Sequence, residues 1–159
     1  MKKTKIFLHG LESSPQGNKG VYFRDKYPEM LIPDFTGNLR QRMIKLNNIL
    51  SKKDNIILVG SSFGGLMALI FTMANPKKVE KLILLAPAIH MLKIDQGENN
   101  NCSIPVWIYH GKNDTVIPLV KMESVARNIF TNLSFIIMAD DHSLTKTFKT
   151  IDWDSHLGY

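Results

Sequence analysis

Ser62 lies in the run Gly60-Ser61-Ser62-Phe63-Gly64. A serine hydroxyl is a weak nucleophile until a base takes its proton. It therefore does covalent chemistry only where the chain exposes it and supplies partners. Here the apolar stretch Ile57-Leu58-Val59 runs into Gly60-x-Ser62-x-Gly64, and a helical pattern follows at once. Small residues on either side of a serine let backbones pass closely. A sharp strand-to-helix turn needs this if its apex is to present one oxygen. The same glycines also suit an ordinary tight turn in which Ser62 caps the next helix, a position serine favours. The five residues alone leave both readings open.

The base in such chemistry is usually a histidine, which needs a carboxylate to fix its tautomer and stabilise its charged form. On a parallel sheet these groups emerge at the carboxyl ends of strands. Asp114 stands in His110-Gly111-Lys112-Asn113-Asp114, just past one apolar run, and His142 stands in Ala139-Asp140-Asp141-His142-Ser143, just past another. Taken singly, Asp114 reads as a turn residue and His142 as a solvated loop residue. Together they follow Ser62 in the order Ser…Asp…His expected of a serine elbow on a parallel sheet. Asp140 or Asp141 stays open as a replacement for Asp114. His9 and His110 precede glycines at strand ends, where a base is hard to place. His90 and His156 fall in an irregular segment and the tail.

Attack on a carbonyl also requires two donors aimed at the oxygen that gains charge. The backbone N–H of Phe63, at the start of a helix, is one candidate. The second is the N–H of Leu11, in the loop His9-Gly10-Leu11-Glu12-Ser13-Ser14. Ser13 and Ser14 either line the site or serve as turn and cap residues. No His/Asp/Glu cluster has metal-ligand spacing, so no metal is expected.

These groups need a scaffold. Strands are predicted at Lys5–His9, Met30–Pro33, Asn55–Val59, Lys81–Ala86, Val106–His110 and Leu133–Met138. Helices are predicted at Val21–Tyr27, Phe63–Ala74, Leu119–Phe130 and Leu144–Trp153. Leu39, Met43, Leu46 and Leu50 recur at amphipathic spacing, with Asn38 as cap. Asn55–Val59 is apolar on both faces and belongs at the sheet's centre. Alternating strands and helices imply an α/β fold: a three-layer sandwich with about six mostly parallel strands and helices on both faces. No linker or repeat divides the chain, so residues 1–159 read as one domain. Pro87–Ser103, with Gly97-Glu98-Asn99-Asn100-Asn101, is long for a connection. It holds a short extra helix around His90–Ile94 or a mobile cover.

The 159 residues can bury one sizeable core, and 44% apolar with 21% charged residues is ordinary for a globular protein. No apolar run approaches the ~20 residues that span a bilayer. The stretch after Met1-Lys2-Lys3 is too short for a signal sequence. A single cysteine, Cys102, rules out an internal disulfide. Both facts point to a cytoplasmic location, with no membrane partner. The net charge of +6 comes from lysines spread along the chain. Without a basic run interleaved with aromatics, no nucleic-acid partner is expected.

His9-Gly10, Gly60-Ser61-Ser62-Phe63-Gly64, His110-Gly111-Lys112-Asn113-Asp114-x-x-Ile117-Pro118 and Asp141-His142 together resemble the landmarks of the α/β-hydrolase superfamily. The His9–Pro15 segment with Gly60–Gly65 is similar to a subgroup of small bacterial serine esterases. The resemblance runs from about Lys5 to about Phe148. It implies the superfamily sheet order, Ser62 as nucleophile, Asp114 as acid and His142 as base. It also implies a hydrolase of small esters or thioesters that needs no cofactor. Three features depart from the superfamily pattern. Many relatives have glycine before the base, where Ala139-Asp140-Asp141 stands here. The two antiparallel strands that usually precede the His-Gly strand do not stand before it here, and no large cap domain follows the fourth strand. The same scaffold also suits a catalytically weak binding or regulatory protein, or another acyl-transfer activity. An intact triad with its oxyanion loop separates these, because a binding module has no need of either.

Overall fold

A computed structural model describes residues 2–93 and 100–159. Five strands, β1 (Thr4–Leu8), β2 (Ile56–Ser61), β3 (Val79–Leu85), β4 (Val106–Gly111) and β5 (Leu133–Met138), form one sheet in the order β1-β2-β3-β4-β5. All four pairings are parallel. The helices are α1 (Asn18–Lys26), α2 (Leu39–Leu50), α3 (Phe63–Ala74), α4 (Leu119–Ile129) and α5 (Trp153–Leu157).

The strand sequences dictate the layers. Successive side chains point to opposite faces. Ile6, Leu8, Ile56, Leu58, Leu82 and Leu84 share one face, and α2, α3 and α4 pack on it through Leu46, Met67 and Met122. Phe7, Ile57, Val59, Ile83 and Leu85 take the other face, where Phe23 of α1, the Tyr27 that ends it and Trp153 of α5 pack. The runs Ile56–Val59 of β2 and Leu82–Leu85 of β3 are apolar at every position because both faces are covered there. Helix α3 is apolar nearly all round, and nine of its residues are buried.

The predicted strand at Met30–Pro33 is reduced to one parallel bridge, Ile6 to Leu31. The Phe7 amide donates to the Leu31 carbonyl and the Leu31 amide to the Lys5 carbonyl, both at 2.9 Å. Pro28 and Pro33 bracket this point, and proline cannot continue a ladder. The bridge still has a topological consequence. Leu31 sits on the outer side of β1, whereas the next strand, β2, lies on its inner side. The chain therefore reverses direction across the sheet between β1 and β2, and crevices that bind ligands open at the carboxyl ends of such strands. Gly10 and Ser62 follow those two ends.

Helix α2 begins where its cap was expected. The Asn38 side chain accepts from the Gln41 amide at 3.0 Å, and the Gln41 side chain accepts from the Asn38 amide at 2.9 Å. The predicted helix at Leu144–Trp153 does not form. Leu144 has φ 52, and only a 3₁₀ turn (Phe148–Thr150) and the later α5 are helical. The left-handed backbone at Leu144 cannot belong to a right-handed helix, and the Asp140 carboxylate takes the amides of Lys146 and Thr147. Around His90 the structure holds a single 3₁₀ turn, Ile89–Met91. Residues 94–99 of the expected cover lie outside the described residues. Between Leu85 and Val106 there is no length of chain for a cap domain.

Candidate active site

Ser62 sits at the apex between β2 and α3 with φ 51 and ψ −115. Side chains with a Cβ avoid that region, and the conformation persists only where surrounding structure over-determines it. Here the Ser62 amide donates to the Leu85 carbonyl at 2.9 Å, and the Ser62 carbonyl accepts from Gly65 and Ala88, each at 2.9 Å. The flanking glycines are required by close approach. A Cβ on Gly64 would lie 2.6 Å from the Leu8 carbonyl carbon and 2.8 Å from the His9 oxygen. One on Gly60 would meet the Gly64 carbonyl oxygen at 2.6 Å. These obstacles are backbone and cannot rotate away. Gly64→Ala is therefore expected to cost about 3 kcal/mol by forcing β1 from α3. A lowered urea midpoint checks this, and an unchanged one would mean the elbow has slack.

The tertiary structure brings the three separated side chains together. The Ser62 hydroxyl lies 3.0 Å from His142 Nε2. His142 Nδ1 lies 2.7 Å from Asp114 Oδ2. The carboxylate accepts at Nδ1, so Nε2 is left to accept from the hydroxyl. The Asp114 side chain is fully buried, and its Oδ1 takes the amides of Val116 at 2.9 Å and Ile117 at 2.7 Å. Neither Asp140 nor Asp141 stands at Nδ1. Asp141 Oδ1 accepts from the Ser143 amide at 2.9 Å.

Asp140 has a different task. It is buried, and it accepts from the amides of Asp141, Lys146 and Thr147 and from the Thr147 hydroxyl. It thereby folds the loop that carries His142. Burial pushes its carboxyl up, but those hydrogen bonds outweigh burial and hold it below the ordinary carboxylate value. A carboxylate lowered in the folded state contributes stability that is full above its unfolded value, about 3.9. That stability is lost as pH falls through the folded value. Asp140→Asn should accordingly cost about 2 kcal/mol at pH 7 and less at pH 3. Urea melts at both pH values check the sign.

Two histidines set aside as bases hold the site instead. His9 is buried, its Nδ1 donates to the Gly10 carbonyl at 2.7 Å, and its Nε2 accepts from the Phe35 amide at 2.9 Å. It fixes the loop in which Leu11 lies. His110 is buried beneath Asp114. Its Nε2 donates to the Ile117 carbonyl at 2.8 Å and lies 3.2 Å from Asp114 Oδ2. Burial pushes His110 below the ordinary histidine value, against the pull of the Ile117 carbonyl and Asp114. A repeated signal was present in the sequence: His-Gly at the carboxyl end of two strands.

The amides of Leu11 and Phe63 donate to no protein acceptor among the described residues. Gly10 brings their loops together, since a Cβ built on it would lie 3.5 Å from the Ser62 Cβ. A cavity of about 480 Å³ opens over Ser62, lined by Leu11, Ser13, Lys19, Val116, His142 and Phe148. Ser13 thus borders the site, whereas the Ser14 hydroxyl accepts from the Gln16 amide in a turn. The Lys19 ammonium donates to the Ser143 carbonyl at 2.5 Å. Burial lowers its pKa, partly offset by Asp140 and Asp141. Among the described residues no helix is long and apolar enough to cross a membrane.

Several solved structures share this architecture. An esterase from Exiguobacterium antarcticum is 15% identical with TM-score 0.79, and the match covers 99% of this chain and 91% of that one. An α/β-hydrolase from a Mar Chica lagoon sediment metagenome is 21% identical with TM-score 0.74, covering 99% and 93%. The mouse α/β-hydrolase domain-containing protein 10 is 20% identical with TM-score 0.75, covering 91% and 83%. At such identities the likeness establishes the fold. Comparison with curated protein sequences finds no match. The sequence model of the phospholipase/carboxylesterase family matches residues 29–151, a span that contains Ser62, Asp114 and His142. With that match over most of its length, the chain belongs to the phospholipase/carboxylesterase family of the α/β-hydrolases.

Proposed function

We propose that this chain is a serine carboxylesterase that cleaves small esters or thioesters through an acyl-enzyme on Ser62. The observation that carries the reading is the hydrogen-bonded series from the Ser62 hydroxyl to His142 at 3.0 Å and from His142 to Asp114 at 2.7 Å. In this reading the Ser62 oxygen attacks the ester carbonyl carbon while its proton passes to His142 Nε2. Asp114 stabilises the imidazolium that results. The carbonyl oxygen becomes an oxyanion between the amides of Phe63 and Leu11. Collapse of the adduct breaks the bond to the leaving group, which takes the proton from His142. Water then adds to the acyl-enzyme by the same route, releasing the acid and restoring Ser62.

The cavity volume of about 480 Å³ and a connection between β3 and β4 too small to form a cap domain favour short acyl groups. A fluorophosphonate should label native protein once, on the peptide that contains Ser62, and p-nitrophenyl acetate and butyrate should turn over faster than the palmitate. Native protein that takes no label, or Ser62→Ala protein labelled equally well, would remove this reading. Matched oxygen esters and thioesters then separate the two leaving groups.

A further inference from the structure

Arg42 is an arginine in the wrong place for stability. It lies in the first turn of α2, where the helix dipole disfavours a cation, and no acidic residue shares that turn. It is 4% exposed and makes no ion pair among the described residues. Burial lowers its pKa, offset only by Asp34, whose side chain is more than half exposed. Its Nη1 is buried with no hydrogen-bond partner among the described residues. A buried cation left unpaired is costly, so something other than stability accounts for its position.

What the guanidinium touches suggests the reason. Nε donates to the Gly37 carbonyl at 2.9 Å, curling the side chain back over the start of α2. Nη2 reaches the Leu11 carbonyl at 3.5 Å. The guanidinium carbon stands 5.4 Å from the centre of the Phe63 ring. One side chain therefore spans the two residues whose amides form the oxyanion corner in the reading above. Of the carbonyls flanking the Leu11 amide, the Gly10 oxygen accepts from His9 at 2.7 Å and the Leu11 oxygen faces the Arg42 Nη2 across a longer 3.5 Å contact. Arg42 does not line the cavity, so it is not placed to bind substrate directly.

Building on the proposed function, we propose that Arg42 is a positioning residue for the oxyanion corner. Its guanidinium clamps the Leu11 loop toward Phe63 and keeps a fixed positive charge behind the two amides. In a dry interior such a charge favours the oxyanion over the neutral carbonyl, so it acts on the transition state more than on substrate binding.

The test compares Arg42→Gln, which removes the charge, with Arg42→Lys, which keeps it but not the fork. Each is assayed with p-nitrophenyl acetate and with a short alkyl trifluoromethyl ketone, whose adduct on Ser62 is itself an oxyanion. Expected for Gln is a fall in kcat of about ten- to thirtyfold, with KM within about twofold and a parallel loss of ketone affinity. Expected for Lys is a loss of about three- to tenfold in both kcat and ketone affinity at unchanged KM. A Gln variant within about threefold of native in kcat, or a loss carried by KM, overturns the inference. Should the Gln protein not fold, Lys decides alone: kcat within about twofold of native, or a change confined to KM, overturns it. Fluorophosphonate labelling of native protein is run first. Failure there removes the Ser62 reading, whereas normal labelling with an unaffected Arg42→Gln removes only the role of Arg42.

Discussion

Ser62→Ala protein will remain folded and lose about 10⁵- to 10⁶-fold in kcat on p-nitrophenyl acetate. The fold is spared because alanine carries the same Cβ into the same strained backbone, φ 51 and ψ −115. Among the described residues the one polar contact of the side chain that is removed is the partly buried bond to His142 at 3.0 Å. Activity is lost because no other oxygen occupies the apex. Ser62→Gly separates the chemistry from the strain. Glycine adopts this region without penalty, and strain of this kind costs about 1–3 kcal/mol. Glycine's greater freedom in the unfolded chain returns part of that gain. The glycine variant should therefore be as inactive as alanine yet more stable by about 1 kcal/mol. Urea midpoints ordered Gly above Ser and Ala check this. A glycine variant no more stable than alanine would mean the turn is unstrained.

The second large effect is expected of Asp114→Asn, a loss of about 10⁴-fold in kcat. The buried pocket leaves the new amide little choice. Its oxygen must stay where Oδ1 takes the Val116 and Ile117 amides, at 2.9 and 2.7 Å. The NH₂ group then faces His142 Nδ1 in place of an acceptor, 2.7 Å away. Two donors cannot share that contact, so His142 moves its proton to Nε2. There it faces the Ser62 hydroxyl as a donor and no longer takes its proton. His110 meets the same NH₂ at the 3.2 Å contact, but its own proton already goes to Ile117. Stability should fall by only about 1 kcal/mol, because both backbone amides keep their acceptor. Activity within about tenfold of native would transfer the acid's role to Asp141, and Asp141→Asn would then carry the loss.

How much of this was readable in the chain varies with the range of the interactions involved. The helix at Leu39 was legible because apolar spacing and the Asn38 cap fix it locally, and the helix at Phe63 because an almost wholly apolar run follows the Gly60-x-Ser62-x-Gly64 turn. The five strands were legible as short apolar runs bounded by turn residues, and their ends fell within a few residues of the structure. The failures lay where a distant or polar group competed with local pattern. At Leu144 the periodicity suits a helix, yet that residue takes a left-handed conformation in a loop held by the distant Asp140 carboxylate. At Met30–Pro33 the apolar residues suit a strand, yet flanking prolines leave one bridge. His9 and His110 were visible as residues but not as supports. Their partners, the Gly10 and Ile117 carbonyls, are defined by loop conformation rather than residue type. Arg42, at i+3 from Leu39 and i−4 from Leu46, lies at the edge of the apolar stripe, where a long cationic side chain is ordinary and gives no warning of burial.

Sequence alone determined the strand–turn–helix around Ser62, the alternation that makes a parallel sheet, and the order of serine, aspartate and histidine along it. These rest on side-chain period, backbone permissiveness and proximity in the chain, all of which are local. Tertiary structure alone decided that Asp114 and not Asp140 faces His142, that the crevice opens between β1 and β2, and that a buried arginine lies behind Leu11 and Phe63. Those outcomes depend on which loops pack against one another. That is settled by the sheet as a whole, through burial and hydrogen bonds between residues far apart in the chain.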